Sequence, residues 1–405
     1  MSPEMKEYRL EKKLLYTAYL ISQLGNWAFR IGIIVSLLQN STSAVGIGVA
    51  VIFAPIILGS LFLSPLADRS DRLLLMISID LIRAIAMMPL LFVGAINSLL
   101  TYIIIAMLSL SQPIFMSAQI SFLRSVTQPE KLVTELRNIS NIDWTTYIIG
   151  MATGSFLMAS LSIANVLVLN SITFIVSASV LIFVRNRISF RTKLPKKATK
   201  AGVNFSDLKP LYRTFIAVFF LNLGAGIINI YPAVRSTTDH VVNQSTLSTM
   251  VIINGIFGLI GALCVKPAYQ RIGALKLMTL TAGFITFSLF AMSLDYGFIL
   301  AVASSSLMLG TGQVFAVSVQ AYMTSSVREN LTGKFSGIFQ CCTYGGIALN
   351  GILFSLFSKF LDFNMIVSIC LFPSLIAFFI ALSETAHSGL LGPKKTRIQF
   401  HFKRR

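Results

Sequence analysis

Acidic residues are scarce in this chain: 15 Asp and Glu stand against 33 Lys and Arg, for a net charge of +18. Charged residues of both signs make up only 12% of the sequence, about half the share usual in a soluble domain. That deficit excludes an ordinary water-soluble fold. Histidine is nearly absent (His240, His387 and His401), and the four cysteines, Cys264, Cys341, Cys342 and Cys370, all fall in apolar stretches. Neither type has metal-ligand spacing, and adjacent Cys341 and Cys342 on one helix are poorly placed for a structural disulfide. The cysteines read as small packing residues, and no metal site or cofactor is expected. No nucleophile–base constellation and no phosphate-binding glycine loop after a strand appears. An enzyme, or transport driven by ATP through this chain alone, is therefore not expected.

Apolar length is what the chain has instead. Hydrophobic residues make up 55% of it, with a mean hydropathy of +0.77. Hydropathy gives twelve candidate spans of membrane length, at 14–38, 44–66, 73–94, 98–121, 139–160, 163–184, 211–232, 247–267, 274–294, 297–321, 335–357 and 363–382. The expected fold is an all-α integral membrane protein of two six-helix halves, 14–184 and 211–382. A short N-terminus (1–13), a basic linker (185–210) and a basic tail (383–405) complete it. Basic residues cluster in the N-terminus, the even-side loops, the linker and the tail, while the opposite loops hold only Arg235 and Lys359. By the positive-inside rule both termini are cytoplasmic. The basic runs read as headgroup-facing segments and not as nucleic-acid sites. Residues 129–137 have the composition of a short amphipathic interfacial helix.

A weak internal repeat supports two halves. Shifting the chain by 201 residues lays Gln112 on Gln313, Gln119 on Gln320, and Ser125-Val126 on Ser326-Val327. Between the second and third spans lies a tight charged turn, Leu66-Ala67-Asp68-Arg69-Ser70-Asp71-Arg72. Its basic residues suit topology, but Asp68 and Asp71 add nothing to topology and suit a conformational latch. The turn resembles the loop between helices two and three of the major facilitator superfamily, which is implicated there in switching between inward- and outward-open states. The general pattern carries Gly where this chain has Ser64 and Asp71. The Asp variant is similar to the branch that holds macrolide-type efflux proteins and siderophore (enterobactin-type) exporters. Gly25-Asn26-Trp27-x-x-Arg30 and Asp80-x-x-Arg83-Ala84 resemble the same branch, which often has Asp at the position of Asn26. Pro113, Gln128–Leu132 with Asn138, and Leu331–Gly337 look like further landmarks. The resemblance implies parallel repeats of six helices rocking about a midplane cavity, with Asp68, Arg69, Asp71 and Arg72 as the switch.

Polar groups inside spans are functional candidates, because each must find a partner away from water. Arg30 shares a helix face with Asn26, four residues earlier, and suits an anionic or carbonyl-rich cargo or an internal ion pair. Asp80 and Arg83, three apart, form a helix ion pair, or Asp80 serves as a proton site. Asp143 is the other candidate acid; capping the start of the fifth span is its structural alternative. Trp27, Gln112, Gln119, Asn222, Asn229, Asn254, Gln313, Gln320 and Gln340 complete the candidate cargo site, with Asn350 as a further polar group. Gly224 and Gly226 soften span seven, while Gly150 and Gly154, and Gly345, Gly346 and Gly351, suit close helix packing.

The resulting expectation is a secondary active transporter in the cytoplasmic (inner) membrane of a bacterium. It would be a monomer among membrane lipids, exporting a small organic molecule, siderophore or drug-like, against protons, with no nucleic-acid partner. The alternatives are a lipid or lysophospholipid flippase on the same fold and a membrane sensor or assembly subunit without transport.

Overall fold

A computed structural model describes residues 8–63, 66, 70–92, 98–127, 129–160, 162–188, 211–238, 241–294, 296–326 and 332–390. The chain folds into a helical bundle, as its hydropathy predicts. The N-terminal half holds α1 (Arg9–Asn40), α2 (Thr42–Leu58), α3 (Arg72–Met87), α4 (Leu99–Val126), α5 (Pro129–Ser160) and α6 (Ile163–Ile188). The C-terminal half holds α7, which runs from Tyr212 to Arg235 with a break, then α8 (Gln244–Ile272), α9 (Ala274–Ser293), α10 (Phe298–Ser326), α11 (Thr332–Phe357) and α12 (Phe363–Leu390). Among the described residues eleven of these are long and apolar enough to cross a membrane. The twelfth, α5, has 32 residues but carries Asp143, Trp144 and Tyr147 on the face it turns inward. Beyond the helices, Thr237 and Thr238 pair antiparallel with Val242 and Val241 in the α7–α8 connection.

Local sequence sets where the helices begin. Ser41, Asp71, Ser98 and Asn243 each accept a backbone N–H of the first turn of α2, α3, α4 and α8, filling donors that a helix start leaves free. Gly273, at φ +80°, turns the chain between α8 and α9. Large apolar side chains such as Phe62, Ile85, Phe156 and Phe372 are 65–70% exposed on the outside of the bundle. Lipid tails accept such a surface, because the backbone polar groups of each spanning helix are bonded within that helix.

Three helices differ from the expected spans. Helix α2 ends in a π-helical turn, Gly59–Leu63. Helix α5 runs unbroken from Pro129, so the stretch 129–137 is part of it and not a separate interfacial helix. Asp143 therefore lies inside α5 and caps nothing. Helix α7 is helical over Tyr212–Ala225, tightens into a 3-10 turn at Gly226–Asn229, and resumes over Tyr231–Arg235. The expected softening by Gly224 and Gly226 is thus a real break, aided by Pro232 at the restart.

The halves meet along two helix pairs, α2 with α11 and α5 with α8. At the end of the bundle opposite the termini, Gly46 of α2 lies on Gly351 of α11. A Cβ at Gly351 would stand 2.6 Å from the Gly46 carbonyl oxygen. Ser43 Oγ donates to the Ser355 carbonyl at 3.1 Å and pairs with the Ser355 hydroxyl at 2.9 Å. This crossing seals that end. Within the N-terminal half, a Cβ at Gly150 would stand 2.7 Å from the Leu24 carbonyl oxygen. That close approach of α5 to α1 sets the wall of the cavity described next.

Candidate functional site

Below the α2–α11 seal lies a cavity of about 530 Å³ lined by both halves. Its lining on α1 runs from Ile34 near the seal to Tyr19 nearer the termini. Because α5 packs backbone to backbone on α1, Trp27 and Arg30 of α1 share one wall with Asp143, Trp144 and Tyr147 of α5. The opposite wall comes from the broken helix α7 (Asn222, Asn229 and Pro232), from α10 (Gln313 and Gln320) and from Tyr344 of α11.

Arg30 is the cation of this wall. Its Nη2 donates to Gln112 Oε1 at 2.7 Å. Its guanidinium carbon lies 4.7 Å from the Trp27 ring centre and 5.7 Å from that of Phe53, within the reach of cation–π attraction. Among the described residues no carboxylate comes within ion-pair distance of it. Asp143 is the anion of the wall, and the Tyr19 hydroxyl donates to its Oδ1 at 2.6 Å. An aromatic cluster lines the same wall. Trp27 meets Tyr147 edge to face at 4.9 Å, and Trp144 meets Tyr147 at 5.7 Å. Across the cavity Phe53 stacks on Tyr344 at 5.9 Å. Such walls accept an organic body, while the amides and the two opposite charges supply orientation.

Of the residues singled out from sequence, the structure brings Trp27, Arg30, Gln112, Asp143, Asn222, Asn229, Gln313 and Gln320 to this cavity. Asn222 Nδ2 donates to the Val218 carbonyl and Asn229 Nδ2 to the Gly226 carbonyl, which turns both side chains back on their own helix. Asn26 lines a smaller pocket behind Arg30. Gln119 is fully buried away from the cavity, and Asn254 is equally buried, accepting from the hydroxyls of Ser305 and Ser306 of α10. Gln340 accepts from Ser60 at 3.1 Å across the α2–α11 contact. Asn350 ties α11 to α7 through the Leu223 carbonyl and reaches Cys370 Sγ at 3.4 Å. Cys370 is buried, Cys341 and Cys342 are partly buried, and Cys264 is exposed.

Asp80 and Arg83 pair at 3.4 Å and join three helices. Ser177 of α6 donates to Asp80 Oδ2 at 2.6 Å, and Arg83 Nε donates to Ser111 of α4 at 2.7 Å. Phe115 and Phe174 flank the guanidinium. Asp68 and Arg69 lie outside the described residues. Asp71 caps α3 and accepts from Arg185 Nε of α6 at 3.0 Å, while Arg72 opens α3. Nearer the termini, Lys12 pairs with Glu135 at 2.6 Å, and Tyr16 and Asn138 donate to the same carboxylate.

Tyr19, Gln23, Phe53, Trp144, Tyr147 and Tyr344 line the site without having been singled out beforehand. One signal was available: the chain has two tryptophans, and both fall well inside spans and not at the membrane interfaces where Trp usually gathers.

The Major Facilitator Superfamily model matches residues 15–351, most of the chain. The chain belongs to the Major Facilitator Superfamily. A protein of Bacillus subtilis (strain 168), named as an uncharacterized MFS-type transporter, YfiS, is 27% identical over 236 residues. That match covers 54% of this chain and 56% of the relative, so it spans little more than half of the relative's length. Solved structures of the same fold include an auto-inhibited POT family peptide transporter (TM-score 0.74, 12% identity, 94% of this chain and 96% of that one). A bacterial homologue of the iron transporter ferroportin in the inward-facing state is also similar (TM-score 0.67, 17% identity, 93% and 98%). The nucleoside transporter NupG matches as well (TM-score 0.67, 15% identity, 93% and 98%). At these identities the likeness shows the superfamily fold alone.

Proposed function

We propose that this superfamily member is a secondary active transporter that exports a small organic molecule by alternating access, with proton entry as the driving reaction. The observation that carries this reading is the cavity between the halves, closed at one end by a glycine–glycine crossing. It holds one cation, Arg30, and one carboxylate, Asp143, which among the described residues do not approach to ion-pair distance. Arg30, fixed by Gln112 and by the Trp27 and Phe53 rings, would meet the anionic or carbonyl-rich part of the cargo. The aromatic wall would hold the apolar body. Asn222, Asn229, Gln313 and Gln320 would supply polar contacts from the other sides.

Asp143 is the preferred proton carrier, because it faces the cavity and gives up one hydrogen bond, from Tyr19, when protonated. Asp80 is enclosed by Arg83 and Ser177 and serves better as a brace. The turn with Asp68, Arg69, Asp71 and Arg72 would control switching. In the described part of it, Asp71 joins α3 to α6 through Arg185. The positive-inside distribution supports placing both termini in the cytoplasm of a bacterial cell, with the sealed end outside and the cavity inward-facing. The charged turn and the first-span motif support the efflux branch and a siderophore-like or drug-like cargo.

The test compares cells lacking the gene with complemented cells in iron-poor medium, quantifying small molecules inside and outside. A chelator retained inside the deletion strain supports the reading. An unchanged secreted set removes siderophore export, and lysophospholipid uptake is then measured as the flippase alternative. For an anionic cargo, Arg30→Ala is expected to weaken apparent affinity roughly ten- to 150-fold, from loss of a charge-assisted hydrogen bond, with the protein still folded. Parent-like transport by that variant removes Arg30 from the site.

A further inference from the structure

Two buried arginines of the N-terminal half, Arg30 and Arg83, are matched in number by two carboxylates, Asp143 and Asp80, but the two matches differ in kind. Asp80 and Arg83 meet at 3.4 Å and are closed in by Ser111, Ser177, Phe115 and Phe174. Arg30 and Asp143 line one wall of the main cavity and act on one another electrostatically. Among the described residues they stop short of ion-pair distance.

Two features keep them apart. Each charge is held by a neutral group: Gln112 accepts from Arg30 Nη2 at 2.7 Å, and Tyr19 donates to Asp143 Oδ1 at 2.6 Å. The helix register also sets them at different depths. Gly150 lies beside Leu24 and Gly154 beside Ala28, so α1 and α5 run parallel. That register puts Asp143 level with Thr17, thirteen residues from Arg30, or about 20 Å along the wall between their Cα atoms. The Arg30 side chain spans part of that distance, because helical side chains lean towards the N-terminus.

Each charge keeps bonding capacity for a guest. The bond to Gln112 uses one N–H of the Arg30 guanidinium; a guanidinium has five, and the remaining ones suit a carboxylate, which it can hold through two parallel bonds. Among the described residues the Asp143 carboxylate accepts from Tyr19 through Oδ1, and its Oδ2 receives no hydrogen bond. Trp27, Tyr147 and Trp144 line the same wall, with 4.9 and 5.7 Å between successive ring centres. Such rings attract an ammonium as well as an apolar body. The cavity, at about 530 Å³, has the size of a small-molecule site.

We infer that the cargo is an organic zwitterion with its charges at opposite ends of one body. Its carboxylate binds Arg30, its ammonium binds Asp143 Oδ2 on the wall shared with Trp144 and Tyr147, and its apolar middle lies along the aromatic rings. This rests on the transport reading only in taking the cavity as the cargo site. A protonated Asp143 has no charge with which to hold an ammonium, so cargo and proton take turns on it.

The experiment titrates the purified full chain in lipid nanodiscs and reads tryptophan fluorescence, because Trp27 and Trp144 are the chain's two tryptophans and both line this wall. Three probes share one body: para-(aminomethyl)benzoate carries both charges, para-toluate the carboxylate alone, and para-methylbenzylamine the ammonium alone. The zwitterion is expected to half-saturate about tenfold or more below either of the others, since a hydrogen bond to a charged group is worth about that factor. Arg30→Gln should remove its advantage over the amine, and Asp143→Asn its advantage over the toluate. In the parent, half-saturation by the zwitterion no better than by the toluate or by the amine overturns the inference, as does no response to any probe, so the test holds even where a variant does not fold. A folded variant that keeps the parent's full preference overturns it too. No gradient is applied, so export can fail in cells while the zwitterion preference stands, and a missing preference leaves export untouched.

Discussion

Replacing Gly351 by Ala tests whether the α2–α11 crossing governs access to the cavity. The new Cβ would stand 2.6 Å from the Gly46 carbonyl oxygen and 2.9 Å from the Ala50 nitrogen, where ordinary contact begins at 3.4 Å. Both obstacles are backbone atoms, which cannot rotate away, so the helices must separate. Separation also stretches the Ser43–Ser355 hydrogen bonds at the same end. Overpacking of this kind costs about 1–3 kcal/mol, and the cost falls only on the form in which the two glycines touch. The balance between forms closed and open at this end should then move roughly 5- to 150-fold towards the open one. The assay uses a variant free of the four native cysteines with a reporter, Ile228→Cys, in the cavity lining. Whole cells are treated with a membrane-impermeant maleimide, and Lys359→Cys beside the seal serves as the accessible control. Labelling at position 228 should accelerate in Gly351→Ala while labelling at 359 stays constant. An unchanged rate at 228, with the protein folded and the control labelled, would refute the gate.

Removing the negative charge of the α3 node by Asp80→Asn leaves Arg83 buried without its counter-ion, a loss of about 3–5 kcal/mol. Folded yield and thermal stability in detergent should fall, and the double variant Asp80→Asn with Arg83→Gln should recover part of the loss; parent-like stability of Asp80→Asn with proton-independent transport would make Asp80 the proton site instead. At the end of α5 nearer the termini, burial pushes the Glu135 carboxyl up, but bonds from Lys12, Tyr16 and Asn138 outweigh it and hold it below its ordinary value. A depressed carboxyl stabilises the folded state fully above the unfolded value, about 4.3, and loses that contribution as pH falls through the folded value. Thermal unfolding of the parent should therefore weaken from neutral pH to below 4 more than that of Glu135→Gln, and identical pH profiles would show that this network contributes nothing.

Helix type and the run of membrane-length helices were legible in the sequence, because bilayer thickness and backbone satisfaction allow few ways to place apolar runs of this length. The weak point in α7 was legible too, since Gly224 and Gly226 weaken a helix wherever it lies. So was the set of polar side chains inside the spans, because intramembrane polar groups are few. Which of those groups share a space was not legible. Gln112 and Gln119 are seven residues apart on one helix, yet one lines the cavity and the other is sealed in the core. Asn222 and Asn254 look alike in sequence, yet only the first faces the cavity. Facing depends on how α4 and α8 are rotated against neighbours remote in sequence. Close backbone approaches hold both helices, Gly59 against the Leu110 carbonyl of α4 and Gly261 of α8 against the Gly310 carbonyl. The partner of Asp143 is Tyr19, 124 residues away, a pairing no local pattern encodes. Periodicity and hydropathy thus determined the elements and their membrane setting. Only the packing of helix on helix decided which charges meet, and it put Arg30 and Asp143 on one cavity wall.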